Sequence, residues 1–308
     1  MSRIGLAIVG LGKIARDQHL PSLRASPDFE LIAVASPHSR LEGVPNYPDL
    51  ATLLKAIPTL PAVSLCTTPQ VRFQTARLAL EQGCHVLLEK PPGMTTTEVQ
   101  VLEALARSKG VTLYASWHSR HANGVEPARA WLEGRQVRRV RVVWKEDVRI
   151  WHPGQTWIWK AGGLGVFDPG INALSILSRI LPGDLVLNSA ELYFPRNCET
   201  PIAAELQLTS TAGAAVRMEL DFLHTGTAHW NIEVDTDAGE LRLVNGGSEL
   251  QLDGRVVETP RGTEYARVYE QFGQLVRERR IDVDLAPFRL VADAFLCGRR
   301  VEVAPFVE

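Results

Sequence analysis

The stretch IGLAIVGLGKIA, residues 4–15, decides how the first third of the chain is read. An apolar run, Ile4 to Val9, stops at a glycine, and a helical pattern starts directly behind it. Gly10, Gly12 and Ala15 form a G-x-G-x-x-A pattern at this junction. Gly10 permits a tight turn, Gly12 lets the main chain approach a pyrophosphate, and Ala15 keeps the helix close to the strand. The helix N-terminus, with Lys13 and Ile14 in its first turn, then faces the phosphates. An isolated pattern of this kind also fits an ordinary strand-to-helix turn. The strand before it and the helix after it favour a dinucleotide.

The next hundred residues repeat that grammar. ELIAVAS (30–36), AVSLCTT (62–68), HVLLE (85–89) and TLYAS (112–116) are short apolar runs closed by turn residues. Helical patterns fill the gaps at 13–25, 49–56, 69–82 and 95–109. Strands without polar alternation, separated by helices, predict a parallel sheet covered on both faces. After about residue 120 the pattern changes. A helix over 124–134, a long strand over 136–149 and a helix near 169–181 lead into two-residue alternation from 185 to 258. Alternating strands in succession predict an antiparallel sheet with one open face. Two helical segments, 262–279 and 285–299, close the chain. The expected organisation is an α/β Rossmann dinucleotide-binding domain over 1–119. An α+β substrate-binding domain with an open, predominantly antiparallel sheet follows over 120–308.

The chain's 308 residues suit two domains, and 45% hydrophobic with 22% charged residues is ordinary for a soluble protein. Lysine plus arginine is 33 and aspartate plus glutamate is 35, a net charge of -2, which argues against a nucleic-acid partner. Cys66, Cys84, Cys198 and Cys297 are scattered without C-x-x-C spacing. That pattern argues against structural zinc and fits a reducing compartment. Cys66 and Cys84 read as small buried side chains. No apolar stretch approaches a membrane span and no secretory leader is evident, so a cytoplasmic protein is expected.

Three segments carry chemistry. The second strand ends VASPHSR (34–40) without the acid that would grip an NAD ribose. Ser36, His38 and Arg40 suit a ribose phosphate instead, which favours NADP over NAD while leaving both open. HVLLEKPPG (85–93) places Glu89 and Lys90 at the carboxyl end of the fourth apolar run, where ligands of such sheets bind. A lysine there can accept a hydroxyl proton as hydride leaves carbon. WKEDVRIWHPGQTWIW (144–159) interleaves Trp144, Trp151, Trp157 and Trp159 with Glu146, Asp147, His152 and Gln155. Aromatic faces and polar tips together suit a sugar, although at least two of the four tryptophans are expected in the core.

The glycine pattern, Glu89-Lys90-Pro91 after the fourth strand and the open antiparallel sheet together resemble the glucose–fructose oxidoreductase/inositol dehydrogenase (Gfo/Idh/MocA) family. The resemblance implies that Lys90 is a catalytic acid/base and that the Lys90–Pro91 bond is cis. The family's substrate-domain signature, glycines, then Asp, then His four residues on, reads here as GGLGVFDPGIN (162–172). Asp168 matches, but Asn172 stands at the histidine position. Asparagine cannot act as a general base, which leaves Lys90 as the main proton acceptor. WHSR, the Trp-rich segment and LVADAFLCGRR (290–300) further resemble the branch that oxidises aldopyranoses such as L-arabinose, D-galactose and D-fucose at C1 to the lactone.

The candidate catalytic residues are therefore Lys90 and Asn172, and the substrate candidates are Glu146, His152, Asp168, Trp151 and Trp230. The cofactor candidates are Gly10, Gly12, Lys13, Ile14, Ser36, His38, Arg40, Thr67, Pro69 and Glu89. No metal is expected, His19 is assigned only to a helix start, and a homodimer through the open sheet face is the expected assembly. Two other readings stay open: another sugar or inositol dehydrogenase of the family, against which Asn172 argues, and a dinucleotide-binding sensor without catalysis.

Overall fold

The computed structural model describes residues 3–308. In chain order its elements begin with β1 (Ile4–Val9), a wide π turn (Ala15–His19) running into α1 (Leu20–Ala25), β2 (Phe29–Ala35) and β3 (Asn46–Tyr47). Then come α2 (Leu50–Ala56), β4 (Ala62–Leu65), α3 (Pro69–Glu81), β5 (His85–Leu88), α4 (Thr96–Lys109) and β6 (Leu113–Ala115). The later chain holds α5 (Val125–Leu132), β7 (Val137–Lys145), α6 (Val148–Trp151), α7 (Phe167–Ile180), β8 (Leu185–Pro195), β9 (Ala203–Ser210) and β10 (Ala215–Asp221). It ends with β11 (His229–Thr236), β12 (Gly239–Val244), β13 (Glu249–Leu252), β14 (Arg255–Val257), α8 (Glu264–Glu278), α9 (Ala286–Cys297) and β15 (Arg299–Val303).

Two compact units result. The first comprises the residues up to Trp117 together with Thr263–Asp284, and the second comprises His118–Gly262 and Leu285–Glu308. The expected division at 119 therefore needs correction for one segment: α8, read from sequence as part of the second domain, packs into the first.

The first unit is a parallel sheet in the order β3-β2-β1-β4-β5-β6. Successive strand residues point to opposite faces, so Ala7, Val9, Val86 and Leu88 join one buried cluster while Leu6, Ile8 and Leu87 join another. Helices α2, α3 and α4 cover the first face through Leu53, Leu80 and Leu102. On the second face the early chain supplies only the six residues of α1. Helix α8 completes that cover with Val268, Tyr269, Phe272 and Leu275. Phe272 stacks on Phe29 with ring centroids 5.2 Å apart. Each such buried side chain contributes roughly 1.5–3 kcal/mol of transfer free energy, which is why the segment joins this sheet. A capping box at Thr95 and Glu98 starts α4.

The second unit is a nine-stranded sheet in the order β14-β13-β12-β11-β7-β10-β9-β8-β15. It is mostly antiparallel, with two parallel pairs, β7 with β10 and β8 with β15. Along β7, Val140, Val142 and Trp144 are buried while Arg139 and Arg141 are exposed, so one face takes helices and the other stays polar. Helix α7 lies close against that sheet: a Cβ at Gly170 would sit 2.6 Å from Leu220. The exposed face holds a cavity of about 830 Å³ lined by Arg139, Arg141, Arg217, Glu233 and Arg242 among others. Among the described residues no helix is long and apolar enough to cross a membrane.

Candidate active site

The candidates divide between the units. In the first unit, β1 runs into Gly10, whose φ of +91° is one that residues with a side chain rarely adopt. A Cβ there would lie 2.9 Å from the Thr67 nitrogen and 3.0 Å from the Cys66 carbonyl carbon, so glycine is required by the neighbouring end of β4. Gly12 differs: a Cβ there would meet no heavy atom within 4 Å. Its main chain borders open space at the start of the helical segment. Ile14 is half-buried at this start, and Lys13 is exposed and ion-paired with Asp17.

Ser36 follows β2 and its N–H donates to the Tyr47 carbonyl at 2.9 Å. His38 and Arg40 are exposed in the loop behind it. Arg16, which the sequence reading passed over, reaches this loop, its guanidinium donating to the Arg40 carbonyl at 3.3 Å. At the end of β4, Thr67 is half-buried and Pro69 is buried at the first turn of α3. The Thr67 hydroxyl oxygen is buried without a hydrogen-bond partner among the described residues. An open glycine main chain, a helix start and an unpaired hydroxyl at adjacent strand ends fit a nucleotide pyrophosphate.

Lys90 is half-buried directly after β5, and its bond to Pro91 is cis. Glu89, grouped by sequence with cofactor contacts, is buried at 3% exposure. Its Oε1 accepts from His19 Nε2 at 2.9 Å and from the Tyr265 hydroxyl at 2.7 Å. Its Oε2 accepts from the Lys90 N–H at 2.9 Å. His19 Nδ1 pairs with the Tyr269 hydroxyl at 2.7 Å, and that hydroxyl pairs with Ser64 Oγ at 3.0 Å. Burial opposes charge on His19, but Cys66, Tyr269 and Glu89 outweigh it and raise its pKa well above the ordinary histidine value. Burial, then the Glu89 carboxylate, pushes Tyr265 well above the usual phenol range. Sequence reasoning missed this network because its members are up to 250 residues apart.

In the second unit Glu146 follows β7 and is 3% exposed. Asp147 caps α6, its side chain accepting from the Arg149 N–H at 3.0 Å. That short helix, in place of the last residues of the predicted strand, presents Trp151 and leads to His152. His152 Nε2 donates to Glu146 Oε1 at 2.9 Å, and its Nδ1 lies 3.7 Å from Asp168 Oδ2. Trp230 Nε1 donates to Glu146 Oε2 at 2.7 Å. The Trp151 and Trp230 rings meet edge-to-face with centroids 4.7 Å apart. Five of the six candidates in this unit thus form one cluster. Asp168 is buried in the first turn of α7, and Asn172, half-buried, lies one turn on along the same face. The Gly165 before it has φ +55°, and a Cβ there would lie 2.2 Å from the Pro201 carbonyl oxygen. Of the four tryptophans in 144–159, only Trp144 is fully buried; Trp151 is 45% exposed and Trp157 and Trp159 are intermediate. The expectation of two core tryptophans is corrected accordingly.

Galactose 1-dehydrogenase of Pseudomonas fluorescens is 44% identical to this chain over 312 aligned positions, covering 100% of each. The chain belongs to the Gfo/Idh/MocA oxidoreductase family. The profile described as "Oxidoreductase family, NAD-binding Rossmann fold" matches residues 4–116 of this family member. The crystal structure of D-galactose-1-dehydrogenase from Rhizobium etli superposes with a TM-score of 0.95 at 50% identity, covering 100% of this chain and 99% of that one. A 3-ketoreductase from Actinomadura kijaniata, solved with NADP and TDP-benzene, shares the Gfo/Idh/MocA fold at a TM-score of 0.85 and 20% identity, covering 98% of this chain and 100% of that one.

Proposed function

We propose that this protein oxidises an aldopyranose at C1 to the lactone, with NADP as the favoured acceptor and NAD as the alternative. The observation that carries the reading is the second-unit cluster, in which Glu146 holds both His152 and Trp230 while His152 faces Asp168. Such a cluster offers polar tips for hydroxyls and aromatic surface for C–H groups. The full-length likeness to galactose 1-dehydrogenases supports the same substrate class. A bound nicotinamide would supply the acceptor for the hydride that leaves C1.

The remaining roles belong to side chains of this protein. Lys90 Nζ accepts the proton of the C1 hydroxyl, so that C–H and O–H are lost together and the ring carbon becomes a carbonyl. Asn172, half-buried one turn on from Asp168, binds a hydroxyl near the reacting carbon. Asp168 and His152 bind further hydroxyls, and Trp151 and Trp230 flank the ring. Gly10, Gly12, Lys13, Ile14, Thr67 and Pro69 form the nucleotide cradle. Ser36, His38 and Arg40, joined by Arg16, receive the ribose phosphate, and no carboxylate stands at that strand end to repel it. D-Galactose, L-arabinose and D-fucose share most ring hydroxyl orientations, and a pocket that tolerates one extra carbon discriminates weakly. We further read the arginine- and glutamate-lined open sheet face as the contact between two copies, and light scattering tests whether two copies associate.

The test is reduction of NADP and NAD by purified protein with D-galactose, L-arabinose, D-xylose, D-glucose and myo-inositol, beside Lys90→Met. Turnover with galactose or arabinose that collapses in the variant is the expected result. Turnover with inositol alone moves the protein to another branch of the family. Nucleotide binding without turnover on any sugar makes it a sensor.

A further inference from the structure

The main chain around Lys90 is held by side chains from distant parts of the first unit. Glu89 Oε2 accepts from the Lys90 N–H at 2.9 Å. The Glu89 carbonyl accepts from Arg72 at 2.7 Å, and Arg72 also donates to the carbonyls of Pro91 and Thr67. His19 and Tyr265 converge on Glu89 Oε1, and Tyr269 holds the far side of His19. His19, Arg72, Glu89, Tyr265 and Tyr269 are each no more than 3% exposed. Two of them come from α8, the segment that returns from the later chain.

We propose that His19, Arg72, Tyr265 and Tyr269 are positioning residues for Lys90. They fix Glu89 and the 89–91 main chain, and with them the point from which the lysine side chain extends. This inference rests on Lys90 acting as the proton acceptor. A lysine ammonium extends from its main chain through four side-chain bonds, so a shift of that root shifts the region the ammonium reaches. A displacement of about 1 Å at a reacting group can cost on the order of a hundredfold in rate. A buried carboxylate accepting two donors on one oxygen and the lysine N–H on the other is a stiff anchor. Its role is then mechanical, not the cofactor contact that the sequence position of Glu89 suggests.

The test uses the full chain with NADP and D-galactose, measuring single-turnover reduction, kcat, sugar KM and NADP Kd. Tyr265→Phe removes one hydroxyl donor with almost no change in volume. It should slow single-turnover reduction and kcat roughly tenfold, with sugar KM and NADP Kd within about twofold of wild type. His19→Gln keeps a donor near Glu89 and should lose less than His19→Leu. If His19→Leu does not fold, Tyr265→Phe and His19→Gln still decide the matter. Wild-type rates in folded Tyr265→Phe and His19→Gln, beside a Lys90→Met variant that has lost turnover, overturn the positioning role and leave the role of Lys90 standing. A rise in NADP Kd with kcat unchanged overturns it in favour of a cofactor role for Glu89. Full turnover in Lys90→Met overturns the reading on which the proposal rests.

Discussion

Gly10 and Gly12 stand two residues apart, and substituting alanine at each should have opposite consequences. At Gly10 the φ of +91° is hostile to a side chain, and the new Cβ would meet main-chain atoms at 2.9 and 3.0 Å. Left-handed backbone costs roughly 1–2 kcal/mol for a non-glycine residue. Forcing a methyl group against packed main chain costs roughly 1–3 kcal/mol. Gly10→Ala should therefore destabilise the protein by about 2–5 kcal/mol, a Tm drop of about 4–20 °C. Gly12→Ala places its methyl in open space at an ordinary φ. It should leave Tm unchanged or raise it, because alanine narrows the unfolded ensemble by about 0.4–1 kcal/mol. In the proposed nucleotide cradle that same methyl would stand in the approach of the pyrophosphate, so NADP affinity should fall roughly tenfold or more, about 1.4 kcal/mol. Thermal unfolding by circular dichroism and a fluorescence titration with NADPH measure the two effects. Wild-type NADPH affinity in Gly12→Ala, or a wild-type Tm in Gly10→Ala, refutes the assignment of a binding role to one glycine and a folding role to the other.

Trp230→Phe deletes the donor to buried Glu146 and should cost about 1.5–3 kcal/mol of stability. Steady-state kinetics should show sugar KM rising more than kcat falls, and equal loss in both would speak against a substrate-domain role. Burial, and then Arg279, lowers the pKa of His85 below the ordinary histidine value, and its Nδ1 accepts from the Thr112 N–H at 3.0 Å. The unfolded chain therefore binds the proton more readily. The His85 contribution to stability is complete above about pH 6.5 and is lost as pH falls below it. Urea midpoints measured from pH 7 to 5.5 should fall less steeply in His85→Asn than in wild type, and parallel slopes contradict this.

The parts legible in sequence are those whose signal is local. Gly10, Gly12 and Ala15 sit within six residues, and Asp168 and Asn172 share a helix face by spacing alone. The two-residue alternation over 185–258 announced the open face of the second sheet in the same manner. Helix α8 reads as amphipathic, but nothing in its pattern says which of two sheets lacks cover; that depends on α1 being only six residues long. β3, with two residues, is too short to register as a strand, and the helical pattern read as running to 299 stops instead at Gly298, the single residue between α9 and β15. His19, Glu89 and Tyr265 meet through pairings 70 and 176 residues apart, so each looked ordinary in its own segment. Buried Arg72 was hidden for a related reason: an arginine in a helical repeat reads as solvated, while here it serves main-chain carbonyls.

In the proposed reaction, hydride leaves C1 of an aldose while Lys90 takes the hydroxyl proton. The most direct measurement supplies D-galactose deuterated at C1 with NADP and determines by mass spectrometry where the deuterium goes. The deuterium is expected in the reduced nicotinamide, and Lys90→Met should suppress this transfer. Reduced cofactor without deuterium, with the label retained in the sugar product, would mean that another carbon is oxidised and would contradict the proposed reaction.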